Sequence, residues 1–585
     1  MERRWLVVAL GLAVAAVGVG LTLRPFTSLS VLVAVVAAGL VVTGVVTAWR
    51  GRASSAGALV AVGLGWVAAG VVAVAWPSVT VRAVAVLVGA LMIGDGALDV
   101  AAGLRGSRDH RPAAVIGGAA SIVFGLLALA WPDVTLLVVA VVFGARTVLF
   151  GLRTAWSGFR DRGGVEPDDR LGAGNARYAR NVRAEAGRLR RAGHLVGVSV
   201  ALVVALLLAA LSVAINRGVA DVDAFYDTPA DVPGAPGSLL DAEPYERDLP
   251  EGARGFRVLY TTTREDGVAA VASALVIAPA AAHGPLPVVA WAHGTTGFAR
   301  RCAPSVMDAG LGAGAFYVLD EVLAQGWALV ATDYTGLGTE GPHPYLIGEG
   351  EARSVLDAVR ASRAIEGVDL ADETVVWGHS QGGGAALWTG RLAPSYAPDV
   401  EIVGVAALAP AADLPGLVEN LMGVRGGSLF AGYVVAAYTA AYDELSVGDL
   451  VRSSARPSYE AAIDRCLDAS VLASALTSIA TGTAMFTDDV AARLAPRLAE
   501  NTPAGPFPMP VLVAQGADDS LITRDVQDRY VAGLCAAGAV VDYRVYDGRD
   551  HVPLVEPDSP LIPELVAWTA ARLGSQPVDA ACPSA

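Results

Sequence analysis

The sequence predicts a chain of two dissimilar parts, an N-terminal all-α bundle of transmembrane helices and a C-terminal α/β domain with a helical insertion. Length and charge indicate the division, because 585 residues exceed a single domain and residues 1–216 carry a net charge of +10 against −25 for residues 217–585. Composition also differs: Val, Ala, Leu and Gly dominate the first part only. Finally, apolar runs are long in the first part, whereas short ones alternate with helical segments in the second.

Residues 1–155 are predicted to form a six-helix transmembrane domain. Six apolar stretches are each long enough to cross hydrocarbon as a helix: 5–23, 29–49, 58–76, 79–103, 113–131 and 134–152. They form a helical hairpin that occurs three times, at offsets of 52 and 55 residues. The equivalent positions are Gly11, Gly63 and Gly118; Gly18, Gly70 and Gly125; Gly44, Gly96 and Gly151; and, in the turns, Pro25, Pro77 and Pro132. Recurrent glycines on spanning helices predict close packing of their backbones.

Arginine residues predict the orientation of these helices. The arginines before the first helix and after each second helix all fall on one side of the bundle, and the other side carries little beyond Arg24 and Arg82. By the positive-inside rule, the N-terminus and the segment after helix six are cytoplasmic. Residues 156–193 are therefore predicted to be a basic cytoplasmic linker, and a seventh apolar run, 194–216, crosses outward.

The remaining chain is therefore expected outside the cytoplasm. Residues 217–250, rich in Pro, Asp and Gly, are predicted to be an extracytoplasmic linker to the α/β domain, residues 251–585. Four cysteines, all in this part, predict two disulfides in an oxidising compartment, with four separate buried thiols as the alternative: Cys302, Cys466, Cys535 and Cys582. The acidic charge argues against nucleic acid, and no zinc spacing is present, so neither a metal nor a cofactor is expected.

Residues 378–382 carry the most informative motif in the second part. They read Gly-His-Ser-Gln-Gly, follow the apolar run Thr374–Trp377 and precede small residues that predict a helix. A strand, a tight glycine turn and a helix form a nucleophile elbow. Ser380 is therefore the candidate nucleophile of an α/β-hydrolase, with an ordinary turn as the alternative. The other predicted strands are Ala274–Ala278, Val288–Ala292, Ala328–Ala331, Ile402–Leu408, Val511–Ala514 and Val540–Tyr546.

A nucleophilic serine needs a base and an orienting acid, which in this fold follow it in the order acid, then histidine. His551 is the one histidine after Ser380, so it is the candidate base. The acid is expected just after the strand Val511–Ala514, where two adjacent carboxylates occur. Asp519 has the preferred spacing and Asp518 is the alternative.

The oxyanion of the reaction needs two backbone N–H donors. One is expected from Gln381, the residue after the nucleophile. The other is expected from the turn His293-Gly294-Thr295-Thr296-Gly297, which follows the strand Val288–Ala292. Thr295 is the preferred donor and Thr296 the alternate.

These motifs, together with the Cys-Ala-Pro-Ser segment at Cys302 and the Asp-Tyr-Thr-Gly-Leu-Gly segment at Asp333, resemble the secretory lipases typified by fungal lipase A enzymes. The resemblance implies a Ser380, Asp519 and His551 triad, a helical cap at about 412–505, and disulfides Cys302–Cys466 and Cys535–Cys582. The fungal enzymes have no matching His-Gly-Thr turn, which weakens the choice of Thr295. The hairpin repeat, with its Trp-Pro turns, resembles short-repeat membrane proteins linked to bacterial acid resistance.

The function expected from these features is that of a membrane-anchored, extracytoplasmic serine ester hydrolase. Its partners would be the membrane and a lipid or other hydrophobic ester, most simply a triacylglycerol, and the oligomeric state is not predicted. An acyltransferase or a peptidase on the same triad is the nearest alternative, since fold does not settle substrate. A non-enzymatic membrane stress or scaffold protein is the alternative of a different class.

Overall fold

The computed structural model describes residues 2–578 apart from a set of short gaps, which comprise residues 24, 54–56, 76, 106–110, 161–174, 218–220, 282–283, 425 and 468–484. The chain forms two compact units. The helical unit is built mainly from residues 1–214, and the α/β unit from residues 215–451 and 459–585.

The described residues of the helical unit form seven helices. They are α1 (Glu2–Leu23), α2 (Pro25–Ala53), α3 (Gly57–Ala75), α4 (Pro77–Arg105), α5 (Arg111–Ala130), α6 (Pro132–Arg160) and α7 (Asn175–Arg217). Pro25, Pro77 and Pro132 each begin a helix. Proline suits that position because its missing N–H would have no partner in the first turn, and its fixed φ is already helical.

Glycines meet glycines where these helices pack in pairs. A Cβ added at Gly44 of α2 would lie 2.6 Å from the carbonyl oxygen of Gly63 on α3. The same construction at Gly96 of α4 gives 2.5 Å to Gly118 on α5, and at Gly151 of α6 it gives 2.6 Å to Gly11 on α1. No side chain fits at these distances, so the absence of a side chain is what lets the paired backbones approach.

Five of the described helices contain a segment long and apolar enough to cross a membrane: Val33–Arg50, Arg82–Arg105, Arg111–Ala130, Val134–Trp156 and Ala192–Val213. The apolar segments of α1 and α3 are shorter, at Val7–Thr22 and Leu59–Ala75. Part of the predicted linker, 156–193, lies outside the described residues, and the rest belongs to α6 and α7. Its Arg, Ala, Leu and Glu residues favour helix, so α7 runs on through residue 194 without a break.

A sheet of nine strands, counted over the described residues, forms the centre of the α/β unit, in the order β1-β2-β3-β5-β4-β6-β7-β8-β9. The strands are β1 (Leu239–Tyr245), β2 (Ala253–Thr263), β3 (Ala269–Pro279), β4 (Leu286–Ala292), β5 (Ala328–Thr332), β6 (Leu370–His379), β7 (Glu401–Leu408), β8 (Val511–Gly516) and β9 (Val541–Tyr546). Strands β4 to β9 pair in parallel, and β1 to β3 form an antiparallel extension.

The seven predicted strands correspond to β3 through β9, but two further strands precede them. β1 lies inside the segment predicted as a linker, 217–250, where it pairs with β2. The sequence Leu-Leu-Asp-Ala-Glu-Pro-Tyr did not indicate a strand because an edge strand accepts polar residues and a proline that a central strand excludes.

Helices cover both faces of the sheet. They are α8 (Gly310–Ala313), α9 (Leu319–Ala324), α10 (Gly348–Ser362), α11 (Gln381–Tyr396), α12 (Leu414–Leu421), α13 (Gly427–Ala441), α14 (Val447–Leu450), α15 (Arg456–Ile463), α16 (Val490–Glu500), α17 (Arg524–Ala536) and α18 (Leu561–Leu573). One apolar layer joins the sheet to α10, α11 and α17, and the other joins it to α9 and α18. Along β6 the side chains alternate, so Val376 enters the first layer and Trp377 the second.

The helices α12 to α16 lie between β7 and β8, within the insertion predicted at 412–505. Because β4, β6, β8 and β9 run parallel, their carboxyl ends meet at one edge of the sheet. The segments that follow these four strands carry Thr295, Ser380, Asp519 and His551.

Candidate active site

Ser380 occupies the turn between β6 and α11. Its φ of 59° and ψ of −121° lie in a region that residues other than glycine rarely adopt, so the backbone is strained there. A Cβ at Gly378 would overlap the carbonyl oxygen of Gly382, and a Cβ at Gly382 would overlap that of Ala292. The two glycines are therefore required by the close approach of the backbone on both sides of Ser380.

Three of the predicted side chains lie within hydrogen-bonding distance of one another. Ser380 Oγ is 2.8 Å from His551 Nε2, and His551 Nδ1 is 2.8 Å from Asp519 Oδ2. Asp519 and His551 are 5% and 7% exposed, so bulk water competes little for these bonds. With Asp519 accepting from Nδ1, Nε2 is left as the acceptor for the serine proton.

Asp519, rather than its neighbour Asp518, contacts the imidazole ring. The Oδ1 atom of Asp519 accepts the backbone N–H groups of Leu521 at 2.9 Å and Ile522 at 2.8 Å. Gln515 Nε2 donates to Oδ2 at 3.2 Å. Four donors, counting His551, thus fix the direction of this carboxylate.

Both residues predicted to supply oxyanion donors, Gln381 and Thr295, line the cavity beside Ser380. Gln381 is the first residue of α11, where N–H groups have no acceptor within the helix. Thr295 lies in the loop after β4 and lines the same cavity as Ser380 and Gln381, whereas Thr296 is fully buried. The loop is held from both sides, since Gly294 N donates to Gly314 O at 3.0 Å and Tyr334 Oη donates to His293 O at 3.2 Å.

A buried carboxyl group supports the elbow from beneath, and sequence reasoning did not identify it. Gln381 Nε2 donates to Glu351 Oε1 at 2.7 Å and lies 3.0 Å from His343 Nε2. Glu351 Oε1 also accepts the N–H of Leu346 at 3.1 Å. Burial raises the pKa of Glu351 to about 8, so the group is mostly protonated at neutral pH. No sequence motif predicts the role of Glu351, because this residue of α10 contacts Gln381 only in the folded chain.

His379 connects the elbow to the loop that carries His551. Its Nε2 donates to the backbone carbonyl of His551 at 3.0 Å, and the two rings lie 4.7 Å apart between centroids. Burial lowers the pKa of His379 to about 3, so this ring stays neutral beside its neighbour. The contact ties the segment after β9 to the segment after β6.

The cavity beside Ser380 has a volume of about 230 Å³. Apart from the polar groups already described, its lining is largely apolar, and the cap contributes Leu417, Leu421, Phe430 and Leu467. Such a wall favours a hydrocarbon chain over a charged ligand. Among the residues that the structure describes, no group of three His, Cys, Asp or Glu side chains is arranged to hold a metal ion.

A disulfide joins the loop after β4 to the cap. Cys302 and Cys466 are bonded, with Cα atoms 5.2 Å apart and 164 positions between them in sequence, which confirms the predicted pairing. Cys582 lies outside the described residues, so its pairing with Cys535 stays a prediction.

Comparisons with known proteins support both resemblances noted in the sequence. Residues 312–580 match the model of the secretory lipase family. Residues 61–118 and 116–169 each match a short repeat of unknown function. A probable inactive lipase of Mycobacterium tuberculosis is 27% identical over 383 residues, which is 61% of this chain and 83% of the relative. Lipase A of Moesziomyces aphidis is 28% identical over 228 residues, which is 37% of this chain and 47% of the relative.

Solved structures show the same fold in the α/β unit. Candida antarctica lipase A matches with a TM-score of 0.52 at 21% identity, covering 62% of this chain and 87% of that one. The same lipase in its closed state matches with a TM-score of 0.51. The α/β unit therefore has the α/β-hydrolase fold of a lipase.

Proposed function

Because the chain joins a secretory lipase domain to short apolar helical repeats, we propose that it is a membrane-anchored serine ester hydrolase. The observation that carries this proposal is the unbroken chain of hydrogen bonds from Ser380 through His551 to Asp519 at the wall of an apolar cavity. Each group is of the type, and in the place, that acyl transfer through a serine requires.

In the first half of the proposed reaction, His551 Nε2 removes the proton of Ser380 as Oγ attacks the ester carbonyl. The carbonyl oxygen becomes an oxyanion beside the N–H groups of Gln381 and Thr295, and the positive end of α11 adds to its stabilisation. The C–O bond to the alcohol then breaks as His551 returns the proton to the leaving oxygen. An acyl group remains on Ser380.

In the second half, water attacks the acyl group and gives its proton to His551. The second tetrahedral species collapses to the free acid, and the proton returns to Ser380. Asp519 remains ionised throughout, because its role is to hold the ring and stabilise the imidazolium. All of the atoms come from the ester and water, so the reaction consumes no cofactor.

The lining of the cavity supports a hydrophobic ester as the substrate. Leu417, Leu421 and Phe430 offer an apolar wall to an acyl chain, and the described residues of the lining include no Asp, Glu, Lys or Arg. Lipid esters such as triacylglycerols are the compounds that match this lining best. Relatives of the chain include proteins named as secreted triacylglycerol lipases.

We further propose that residues 1–216 form three helical hairpins and a seventh spanning helix, with the N-terminus in the cytoplasm and the α/β unit outside it. The distribution of arginine supports this orientation. The Cys302–Cys466 disulfide supports it independently, because such bonds persist in oxidising compartments.

The catalytic proposal is tested with the full chain in detergent and p-nitrophenyl esters of butyrate, octanoate and palmitate. Ser380→Ala is expected to lower kcat by at least about 10³-fold, as in other serine hydrolases. Ser395→Ala, which alters an exposed serine of the same helix, is expected to match the wild type. Equal hydrolysis by Ser380→Ala contradicts the proposal, and hydrolysis of peptides alone indicates a peptidase.

One relative is named a probable inactive lipase, which favours a non-enzymatic membrane protein as the second candidate. That candidate predicts that the wild type hydrolyses none of these esters and that Ser380→Ala leaves every property of the protein unchanged. Hydrolysis by the wild type that disappears in Ser380→Ala excludes it.

A further inference from the structure

We propose that Thr295 stabilises the oxyanion with its side-chain hydroxyl as well as its backbone, and that the buried phenol of Tyr345 is the positioning group that leaves the Thr295 proton free to do so. The inference rests on the proposed hydrolase function of Ser380. It adds a third donor to the two backbone N–H groups of the site and assigns Tyr345 a role that the sequence did not indicate.

The two hydroxyl groups are paired at the wall of the cavity. Thr295 Oγ1 lies 2.9 Å from Tyr345 Oη. Both residues line the cavity beside Ser380 and Gln381. Among the described residues, Thr295 Oγ1 is the one hydrogen-bond partner of the Tyr345 hydroxyl.

The two hydroxyls share one hydrogen bond, so only one of their two protons is donated in it. The burial of the two residues indicates which hydroxyl is the donor. Tyr345 is 3% exposed, whereas Thr295, which lines the same cavity, is partly exposed. A buried phenol proton without an acceptor is costly, while a threonine proton at the cavity surface can bond to water or substrate. Tyr345 therefore donates to Thr295, and the Thr295 proton faces the cavity.

Tyr345 is suited to this role because its position and protonation are both fixed. Its ring packs edge-on against Tyr433 at 5.6 Å and against His343 at 6.0 Å between centroids. Its backbone N–H donates to His343 O at 2.9 Å. Burial raises the pKa of the phenol well above its usual value, so the Tyr345 hydroxyl keeps its proton at every pH at which activity would be measured.

The hydroxyl acts on the transition state rather than on substrate binding. No proton is transferred from Thr295, which donates a hydrogen bond that strengthens as the carbonyl oxygen gains charge. Donation from Tyr345 polarises the Thr295 hydroxyl and strengthens it further. Interactions that grow between ground and transition state raise kcat and leave KM nearly unchanged.

The test compares Thr295→Val, Thr295→Ser and Tyr345→Phe in the full chain, using p-nitrophenyl butyrate. Thr295→Val removes the hydroxyl at nearly constant volume and is expected to lower kcat by about 10- to 100-fold, with KM within about threefold. Thr295→Ser keeps the hydroxyl and is expected to stay within about fivefold of the wild type. Tyr345→Phe is expected to fall between them, because Thr295 keeps its proton but loses the group that orients it.

Thermal midpoints of all variants, measured in the same detergent, separate a loss of folding from a loss of catalysis. An active wild type whose Thr295→Val variant keeps its kcat overturns this inference alone. Equal losses in Thr295→Val and Thr295→Ser overturn it as well, because the hydroxyl would then be irrelevant. A larger loss in Tyr345→Phe than in Thr295→Val places the free proton on Tyr345 and also overturns it. A wild type without esterase activity overturns the proposed function together with this inference.

Discussion

The helical unit and the α/β unit differ in how the inside of each is packed. In the helical unit, glycines bring backbones into contact and large apolar side chains such as Leu98 and Leu207 face outward. In the α/β unit, the largest side chains lie inside, with Trp291 and Trp377 almost fully buried. Water drives large apolar groups inward, whereas lipid does not, so the outward-facing leucines and the close backbones of the helical unit are what the proposed membrane setting predicts.

The two units also differ in their polar groups. In the α/β unit, buried polar side chains such as Asp519, His551 and Glu351 pair with one another around one cavity. In the helical unit, by contrast, Gly44, Gly96 and Gly151 lie against the backbones of the neighbouring helices. Catalysis is therefore expected in the α/β unit alone. Substitutions there should lower activity, whereas substitutions at the helix contacts of the helical unit should lower stability.

The largest expected effect separates two adjacent carboxylates in the α/β unit. Asp519→Asn should lower kcat by about 10²- to 10⁴-fold, because the amide no longer holds the tautomer of His551 that accepts the serine proton. Asp518→Asn is the matched control and should stay near the wild type. Initial rates of ester hydrolysis provide the measurement, and a greater loss in Asp518→Asn would refute the choice of acid.

The next effect concerns the link between the sheet and the cap. Replacing Cys302 and Cys466 together by serine should lower the free energy of unfolding of the α/β unit by about 2–5 kcal/mol, because the bond closes a long loop in the unfolded chain. Chemical denaturation in detergent measures this change. A wild type whose stability does not respond to a reductant would show that the bond contributes nothing.

A pair of glycines on α4 tests the packing of the helical unit. Gly96→Val places a side chain against the carbonyl oxygen of Gly118, whereas nothing lies within 4 Å of a Cβ at Gly94. Gly96→Val should lower the stability of the helical unit by about 1–3 kcal/mol, as overpacking does, and Gly94→Val should have little effect. Ester hydrolysis should remain in both. Thermal aggregation in detergent provides the readout, and equal behaviour of the two variants would contradict the glycine-contact account.

The smallest effect is a dependence of stability on pH. Burial raises the folded pKa of Glu351 from 4.5 to about 8, so between these values the folded state binds a proton that the unfolded state lacks. Stability should therefore fall as pH rises toward 8, by on the order of 1 kcal/mol per unit. The buried His293, His343 and His379, whose folded pKa values are lowered to about 4, 3 and 3, oppose this fall near pH 7, because each is still partly protonated in the unfolded state and neutral in the folded one. Their contribution fades as pH rises toward 8, where the unfolded histidines are neutral as well.

Glu351→Gln should remove the fall that Glu351 contributes and leave only the histidine contribution, because the amide does not ionise. Glu366→Gln, which alters an exposed carboxyl just beyond α10, should keep that fall. Unfolding midpoints at pH 7.0, 7.5 and 8.0 give the comparison. An identical slope in the wild type and in Glu351→Gln would show that the buried carboxyl does not titrate in this range.

Sequence reasoning predicted the central strands well because burial on both faces leaves a visible signature. β6 and β8 each contain a continuous apolar run, Val375–Trp377 and Val511–Ala514, and each strand is followed by a residue of the candidate site. β1 and β2 escaped prediction because they form the outer, antiparallel part of the sheet, where Arg254, Arg257 and Glu243 are tolerated. The helix α7 begins at Asn175, before the predicted run 194–216, because apolarity marks only the second half of the helix.

The candidate site divides in the same way. Ser380 is predicted by a local motif, and His551 is predicted because it is the one histidine after Ser380. Both residues can therefore be identified from the sequence. Glu351, Tyr345 and His379 support them through contacts between segments far apart in sequence. Such contacts depend on how α10 and the loop before it pack on the elbow, which no spacing rule encodes.

Labelling with a fluorophosphonate probe tests the central claim most directly, because the probe reacts only with a serine made nucleophilic by its neighbours. The full chain in detergent is labelled and digested, and the modified peptide is mapped. The account predicts modification at Ser380, its loss in Ser380→Ala and in His551→Ala, and its retention in Ser395→Ala. Modification at any other residue, or an unlabelled wild type, would contradict the account.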